Sequence, residues 1–117
     1  MKYIIADTDE KNCIELKKIL DGYEMLDFQG SFSTIQASEN HIRRAPPDMA
    51  FIRIGEAKLN AFKLATVIRE LSPPAKVIFL SRQITYAVEA FEWEADDFLL
   101  LPLDAEKIRK LLLRSIG

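Results

Sequence analysis

The stretch Met49-Ala50-Phe51-Ile52-Arg53-Ile54 decides the fold, because it is apolar except for one arginine and does not alternate with polar residues. Pro46-Pro47 precedes it and Gly55 follows it, and residues of these types interrupt regular structure. A short, continuous apolar run between such boundaries is typical of a β-strand that is buried on both faces of a parallel sheet. Arg53 is therefore the unusual residue of this strand, and it lies near the carboxyl end.

Segments of similar apolar character occur on both sides of this run, and helical patterns separate them. The other predicted strands are Tyr3-Ile4-Ile5-Ala6, a weaker one over residues 25–32, Val77-Ile78-Phe79-Leu80, and Phe98-Leu99-Leu100-Leu101. Five strands that alternate with five helices predict an α/β fold with one doubly wound parallel sheet, the (βα)5 or flavodoxin-like arrangement. The functional crevice of such a sheet lies at the carboxyl ends of its strands.

The predicted helices have recognisable capping residues and breakers. The first predicted helix covers residues 9–20 with Asp9 as its cap, and the second runs from Ser33 or Thr34 towards Arg44. The third covers residues 60–71 with Asn60 as its cap, and the fourth covers about residues 84–93. Asp104 caps the last helix. Ile14, Leu16, Ile19 and Leu20 lie about one turn apart in the first helix, and Ile108, Leu111, Leu112 and Ile116 are expected to face the core in the last. We expect residues 55–59 to form a loop.

The composition is that of one globular domain spanning residues 1–117. A net charge of -2 lacks the basic excess of a nucleic-acid-binding surface, so we expect no direct nucleic-acid contact by this domain. The sequence has neither a signal-peptide pattern nor an apolar run long enough to span a bilayer, and its single cysteine, Cys13, allows no internal disulfide. We therefore expect a cytoplasmic protein without membrane contact.

Five stretches of the sequence resemble the receiver domains of bacterial response regulators, which have the CheY-like fold. They are Ile4-Ile5-Ala6-Asp7-Thr8-Asp9-Glu10, Pro47-Asp48-Met49-Ala50-Phe51-Ile52, Val77-Ile78-Phe79-Leu80-Ser81, Tyr86-Ala87-Val88-Glu89-Ala90-Phe91 and Ala95-Asp96-Asp97-Phe98-Leu99. Their order and spacing match the family over essentially the whole chain. The last two stretches are most similar to receivers that precede a DNA-binding output domain.

The resemblance implies a phosphorylation site at the strand ends. Active receivers have a phosphoacceptor aspartate at the end of the third strand, two acids after the first strand that hold Mg²⁺ with it, a Ser or Thr after the fourth strand and a Lys after the fifth. In this sequence Asp7 matches the first acid and Ser81 matches the hydroxyl residue. Pro102 matches the proline that follows a cis peptide bond, and Phe98 matches the aromatic residue that changes rotamer on activation.

Three positions of this pocket depart from the family. Thr8 stands at the second acid, although Asp9 follows and could compensate, Arg53 stands at the phosphoacceptor, and Leu101 stands at the lysine. A guanidinium group stays protonated and has no free lone pair, so it can neither accept a phosphoryl group nor ligate Mg²⁺. We expect a degenerate phosphorylation pocket with no metal, no cofactor and no catalytic residue, in which Arg53 pairs with a neighbouring carboxylate. The alternative is an abandoned site in which Arg53 points to solvent.

The fourth and fifth helices offer a possible interaction surface, because the resemblance implies dimers that form through the fourth helix, the fifth strand and the fifth helix. The candidate interface residues are Tyr86, Glu89, Trp93, Asp97, Lys107, Arg109, Lys110 and Arg114. The alternative is a solvated charged rim with a half-buried Trp93. We expect Phe91 in the core, His41 exposed on its helix, and Cys13 in a structural role.

Three functions remain open from the sequence. The first is a phosphorylation-independent pseudo-receiver, not an enzyme, that binds itself, an output domain or another regulator in signal transduction or transcription regulation. The second is a phosphorylatable receiver with a displaced site, in which Asp7, Asp9 or Ser81 is the acceptor. The third is an unrelated flavodoxin-like enzyme or ligand binder, since a fold constrains function only loosely.

Overall fold

The computed structural model describes residues 1–55 and 59–116, and in this part of the chain one parallel five-stranded sheet has the order β2-β1-β3-β4-β5. The elements are β1 (Lys2–Ala6), α1 (Glu10–Leu20), β2 (Asp27–Phe32), α2 (Ile35–Arg44), β3 (Met49–Arg53), α3 (Ala61–Leu71), β4 (Lys76–Ser81), α4 (Tyr86–Glu92), β5 (Asp97–Leu100) and α5 (Ala105–Ile116). The predicted doubly wound (βα)5 fold is confirmed. Three residues of the predicted loop over 55–59, namely 56–58, lie outside the described residues.

The helices cover the sheet in two layers, and the residues of each strand alternate between them. Ile4 and Ala6 of β1 face the core under α2, α3 and α4, whereas Tyr3 and Ile5 face the core under α1 and α5. β3 is buried along its whole length, as its continuous apolar run predicts for a strand in the middle of a parallel sheet. No helix in the described ranges combines the length and the apolar character that crossing a bilayer requires.

Several of the helices have side-chain caps at the predicted residues. The side chains of Asp9, Thr34 and Asn60 each accept a hydrogen bond from a backbone N–H group in the first turn of α1, α2 and α3. Asp104 Oδ1 does the same for α5. A cap of this kind contributes about 1 kcal/mol, because it satisfies a helix N–H group that has no partner inside the helix. Thr34, and not Ser33, is therefore the residue that positions α2.

The predicted boundaries of two elements were wrong. β2 begins at Asp27 and not at residue 25, and α4 covers Tyr86–Glu92 and not residues 84–93. Because α4 has only two turns, Ala90 is its one fully buried residue, and Phe91 is 57% exposed instead of lying in the core. The expectation that Phe91 lies in the core rested on its aromatic character, which does not show on which side of the helix the residue lies.

One further expectation about a single residue was also wrong. His41 is half-buried and not exposed, because its ring packs against Phe32 with a centroid separation of 4.9 Å. Ile14 is exposed, so it does not share the apolar face of α1 with Leu16 and Leu20. The inner face of α1 includes Asn12 instead, four residues before Leu16.

Candidate functional site at the carboxyl ends of the strands

The side chains of Asp7 and Arg53 meet at the carboxyl end of the central strands. Ala6 pairs with Ile52 across β1 and β3, so the next residue of each strand lies at the same edge of the sheet. Arg53 Nη2 lies 3.3 Å from Asp7 Oδ2, and the two side chains are 8% and 0% exposed. The cation that the sequence places at the end of β3 is thus held inside the crevice against a carboxylate, and does not extend into solvent.

The Asp7 carboxylate also accepts two hydrogen bonds from the start of α1. Asn12 Nδ2 donates to Asp7 Oδ2 at 2.7 Å, and the backbone N–H of Asp9 donates to Asp7 Oδ1 at 2.9 Å. Asn12 was not among the predicted site residues. Its spacing of four residues from Leu16 and eight from Leu20 could have revealed a polar residue on the buried face of α1.

The other residues after β1 have different roles. The carboxylate of Asp9 caps α1 by accepting a hydrogen bond from the backbone N–H of Asn12 at 3.3 Å. Thr8 is half-buried and lines a polar cleft of about 320 Å³ beside Asp7. Cys13 Sγ donates to the backbone oxygen of Asp7 at 3.6 Å. Burial and then the charge of Asp7 raise the pKa of the Cys13 thiol to about 11, which favours the protonated thiol at neutral pH.

The residues after β4 and β5 are held by the fold. Ser81 is buried, and its Oγ accepts a hydrogen bond from the backbone N–H of Gln83 at 3.0 Å. Leu101 is buried in the core under α1 and α5, and the peptide bond between Leu101 and Pro102 is cis. Phe98 is half-buried and packs against the core on the opposite face of the sheet. An apolar side chain therefore occupies the position at which the resemblance places a lysine.

The donors and charges of the crevice do not fit the Mg²⁺ ion that the resemblance implies. A divalent cation of this type needs several free oxygen ligands. Both carboxylate oxygens of Asp7 already accept hydrogen bonds, and a guanidinium group lies 3.3 Å from one of them. Within residues 1–55 and 59–116, no group of three or more His, Cys, Asp and Glu side chains is arranged to hold a metal.

Gly55 and Tyr86 form a contact above the end of β3 that the sequence analysis missed. Gly55 has a φ of 91°, a left-handed conformation that favours glycine. A Cβ atom at this position would lie 3.0 Å from Cε2 of Tyr86. The ring of Tyr86, the first residue of α4, therefore packs against the backbone just after β3.

The candidate interface residues lie on α4, β5 and α5 or directly after α4. Arg114 donates from Nε and Nη2 to Asp97 Oδ2 at 3.0 and 2.8 Å, and Arg109 Nε donates to Glu106 Oε2 at 3.0 Å, so both arginines pair within their own chain. Glu89 is exposed on α4. Lys107 and Lys110 line a shallow depression of about 210 Å³ between α5 and β5, together with Phe98, Leu100 and Arg114.

Trp93, which directly follows α4, does not line this depression. Its ring stacks on Phe62 of α3 with a centroid separation of 4.8 Å and an interplanar angle of 27°. Trp93 is nevertheless 45% exposed. The structure therefore separates Trp93 from the basic residues of α5, and it adds Phe62 as a neighbour that the sequence analysis did not consider.

Comparison with known proteins identifies relatives that match nearly the whole chain. The sensory transduction protein LytT of Bacillus cereus is 26% identical over 112 residues, which cover 96% of this chain and 46% of that protein. LytR of Streptococcus mutans is 30% identical over 114 residues, which cover 96% of this chain and 47% of that protein. The chain thus spans about half the length of the curated relatives it matches.

Solved structures and a family model give the same result. The response regulatory domain of mrkE from Klebsiella pneumoniae superposes with a TM-score of 0.87 at 26% identity, covering 97% of this chain and 93% of that one. The family model described as the response regulator receiver domain matches residues 3–113. These matches exclude an unrelated flavodoxin-like protein. With a parallel sheet in the order β2-β1-β3-β4-β5 and a match over nearly its whole length, the chain belongs to the response regulator receiver domain family.

Proposed function

We propose that this receiver domain is a pseudo-receiver, which acts by binding a protein partner in signal transduction or transcription regulation without being phosphorylated. The observation that carries the proposal is the buried ion pair between Arg53 and Asp7 at the carboxyl ends of β3 and β1. The relatives named as sensory transduction proteins support a role in signalling.

The chemistry of phosphoryl transfer supports this proposal. A receiver needs a carboxylate nucleophile, and it needs positive charge on a metal ion and a lysine to stabilise the transferring phosphoryl group. Arg53 replaces the nucleophile, and Leu101 provides no charge. Asp7 is already neutralised by Arg53, so the electrostatic attraction of the crevice for a divalent cation is weak. We therefore expect a binding function and no phosphotransfer.

The geometry disfavours a displaced acceptor. Asp7 is 0% exposed in its side chain and accepts hydrogen bonds on both oxygens. Asp9 uses its carboxylate as the cap of α1, and Ser81 is buried with its hydroxyl oxygen bonded to the Gln83 backbone. Each of these groups would have to leave a satisfied position before it could attack a phosphoryl donor.

Incubation with acetyl phosphate and Mg²⁺, followed by intact mass spectrometry, tests the proposal. The wild-type chain is expected to keep its mass, whereas a receiver that retains the aspartate and the lysine gains one labile phosphoryl group under the same conditions. The variant Arg53→Asp combined with Thr8→Asp and Leu101→Lys restores the expected acid and base residues, and it is expected to gain label if it folds. A labile phosphoryl group on the wild-type chain contradicts the proposal.

The face formed by α4, β5 and α5 is the proposed site for self-association or for an output domain. Val88 and Phe91 lie three residues apart on α4 and are both more than half exposed, and so is Ile84 just before the helix begins. Exposed large apolar side chains are a feature of interfaces. Lys107 and Lys110 on α5 add positive charge beside Phe98.

Sedimentation over a range of protein concentrations tests this surface. If the wild-type chain forms dimers through α4, Phe91→Glu is expected to shift it to monomer. Ile14→Glu is the matched control, since Ile14 is similarly exposed but lies on α1 in the opposite layer. Equal effects of both substitutions would place the interface elsewhere.

A further inference from the structure

A groove of about 360 Å³ lies between α3 and α4, apart from both the strand-end crevice and the α5 face. Trp93 lines it, while one side of the indole ring stacks on Phe62. Since 45% of Trp93 is still exposed, a large aromatic surface is open to a partner in this groove. Ala65 and Thr66 of α3 supply small side chains on the opposite wall.

The charged residues that line this groove are mostly acidic. Glu70, Glu92 and Glu94 are exposed along it, and Arg69 is the one basic residue that lines it in the described part of the chain. The Arg69 guanidinium donates to the backbone oxygen of Glu94 and lies 3.7 Å from Asp96 Oδ2, so its charge is engaged within the chain. The groove therefore presents an aromatic surface surrounded by excess negative charge.

We propose that this groove binds a basic, amphipathic segment of a partner protein. An apolar side chain of the segment packs in the groove, and a lysine or arginine lies over the exposed face of Trp93 and between the carboxylates. A cation over an indole ring is attracted by its electron-rich face, and exposed carboxylates strengthen that attraction and steer the approach. The inference deepens the proposed function and rests on it, because it gives the pseudo-receiver a binding surface that does not depend on phosphorylation.

A second copy of this chain is a less suitable occupant than a different protein. The basic residues Lys107 and Lys110 lie on α5, in the layer opposite α3. A contact between α5 of one copy and the α3–α4 groove of another joins two different surfaces. Such head-to-tail contacts close into rings only at special angles and otherwise form open chains.

The test uses the whole chain and a synthetic amphipathic peptide of about 14 residues, four helical turns of leucine and lysine, with a fluorescent label. A peptide with glutamate at every lysine position is the charge control. Anisotropy is expected to show saturable binding of the basic peptide that weakens as salt is added, and no binding of the acidic peptide. Trp93 is the only tryptophan of the chain, so its emission is expected to change during the same titration.

Variants locate the site. Trp93→Ala is expected to weaken binding at least tenfold, and Glu92→Gln by roughly threefold, the effect of one exposed charge at low salt. Glu15→Gln is the matched control, because Glu15 is an exposed glutamate of α1 in the opposite layer, and it is expected to leave the affinity unchanged.

Glu94→Gly separates binding from folding. Glu94 follows α4 with a φ of 58°, a left-handed conformation that glycine adopts more easily. Glycine there is expected to keep or raise the unfolding midpoint while the loss of the carboxylate weakens peptide binding. A drop in affinity in this variant therefore cannot come from loss of structure.

Three results overturn the inference. They are absence of binding by the basic peptide, equal losses in Glu92→Gln and Glu15→Gln, or a Trp93-dependent dimer in sedimentation, which would assign the groove to a second copy. All three are independent of the acetyl phosphate experiment. A chain that stays unlabelled and does not bind the peptide retains the pseudo-receiver proposal and loses only the groove.

Discussion

Arg53 Nη2 lies 3.3 Å from Asp7 Oδ2, and both side chains are almost wholly buried. A buried ion pair adds little net stability, because desolvation of the two charges offsets most of their attraction. Removal of one partner is costly, since the remaining charge stays in a poorly solvated place. The pair therefore fixes the ends of β1 and β3 against each other, in the place where an active receiver changes its charge on phosphorylation.

Asp7→Asn is expected to lower the free energy of unfolding by about 3 kcal/mol, because it removes the negative charge beside the Arg53 guanidinium while keeping the size of the side chain. Arg53→Met combined with Asp7→Asn is expected to recover a large part of the loss. Urea unfolding followed by circular dichroism measures both. Additive losses in the double variant would show that the two residues do not interact.

Asn12→Asp is expected to destabilise the chain at neutral pH more than Asn12→Ala does. Asn12→Ala loses one buried hydrogen bond to Asp7, worth about 1.5 kcal/mol. Asn12→Asp instead sets a second carboxylate at the place where Asn12 Nδ2 now lies 2.7 Å from Asp7 Oδ2. Two carboxylates that close raise the pKa of one of them, so the variant is expected to regain stability relative to Asn12→Ala as the pH falls towards about 4. Urea midpoints measured between neutral pH and that value provide the comparison.

The fold could be predicted from the sequence because the strands are continuous apolar runs and the helices have side-chain caps. β3 shows this most clearly, since Met49–Arg53 is buried at every residue. Asp9 and Asn60 likewise fixed the starts of α1 and α3. These signals are local, and each depends on only a few adjacent residues.

The parts of the site that could not be predicted depend on contacts between distant segments. No local pattern reveals that the ring of Tyr86 rests on Gly55, or that Phe62 stacks on Trp93. Phe91 was misplaced because its apolar character does not show which side of α4 it occupies, and the bounds of α4 were misjudged because this helix has no side-chain cap at its start. The position of Arg53 at the strand end followed from the sequence, whereas the hydrogen bond from Asn12 required the structure.

Gly55→Ala is expected to lower the free energy of unfolding by about 2 kcal/mol, partly through the left-handed backbone and partly through the clash with Tyr86. The two contributions can be separated, because a Cβ atom would lie 3.0 Å from the Tyr86 ring. In a Tyr86→Ala background only the backbone contribution remains, so the same substitution is expected to cost about 1 kcal/mol. Equal costs in both backgrounds, measured by urea unfolding, would mean that the ring of Tyr86 moves away freely.

The stability of the chain is expected to fall below about pH 6.5 because of its single histidine. Burial and then the charge of Arg44 lower the pKa of His41 from its ordinary value of 6.5. His41 Nε2 is buried and makes no hydrogen bond within the described part of the chain, and the ring packs against Phe32. The unfolded chain therefore binds a proton at a higher pH than the folded chain, so stability is full above pH 6.5 and declines as the pH falls through the lowered pKa of His41.

His41→Gln removes this titration, and the difference between its unfolding midpoint and that of the wild-type chain is expected to change between pH 7.5 and 5.5 in favour of the variant. A difference that stays constant over this range would show that His41 keeps its ordinary pKa in the folded protein.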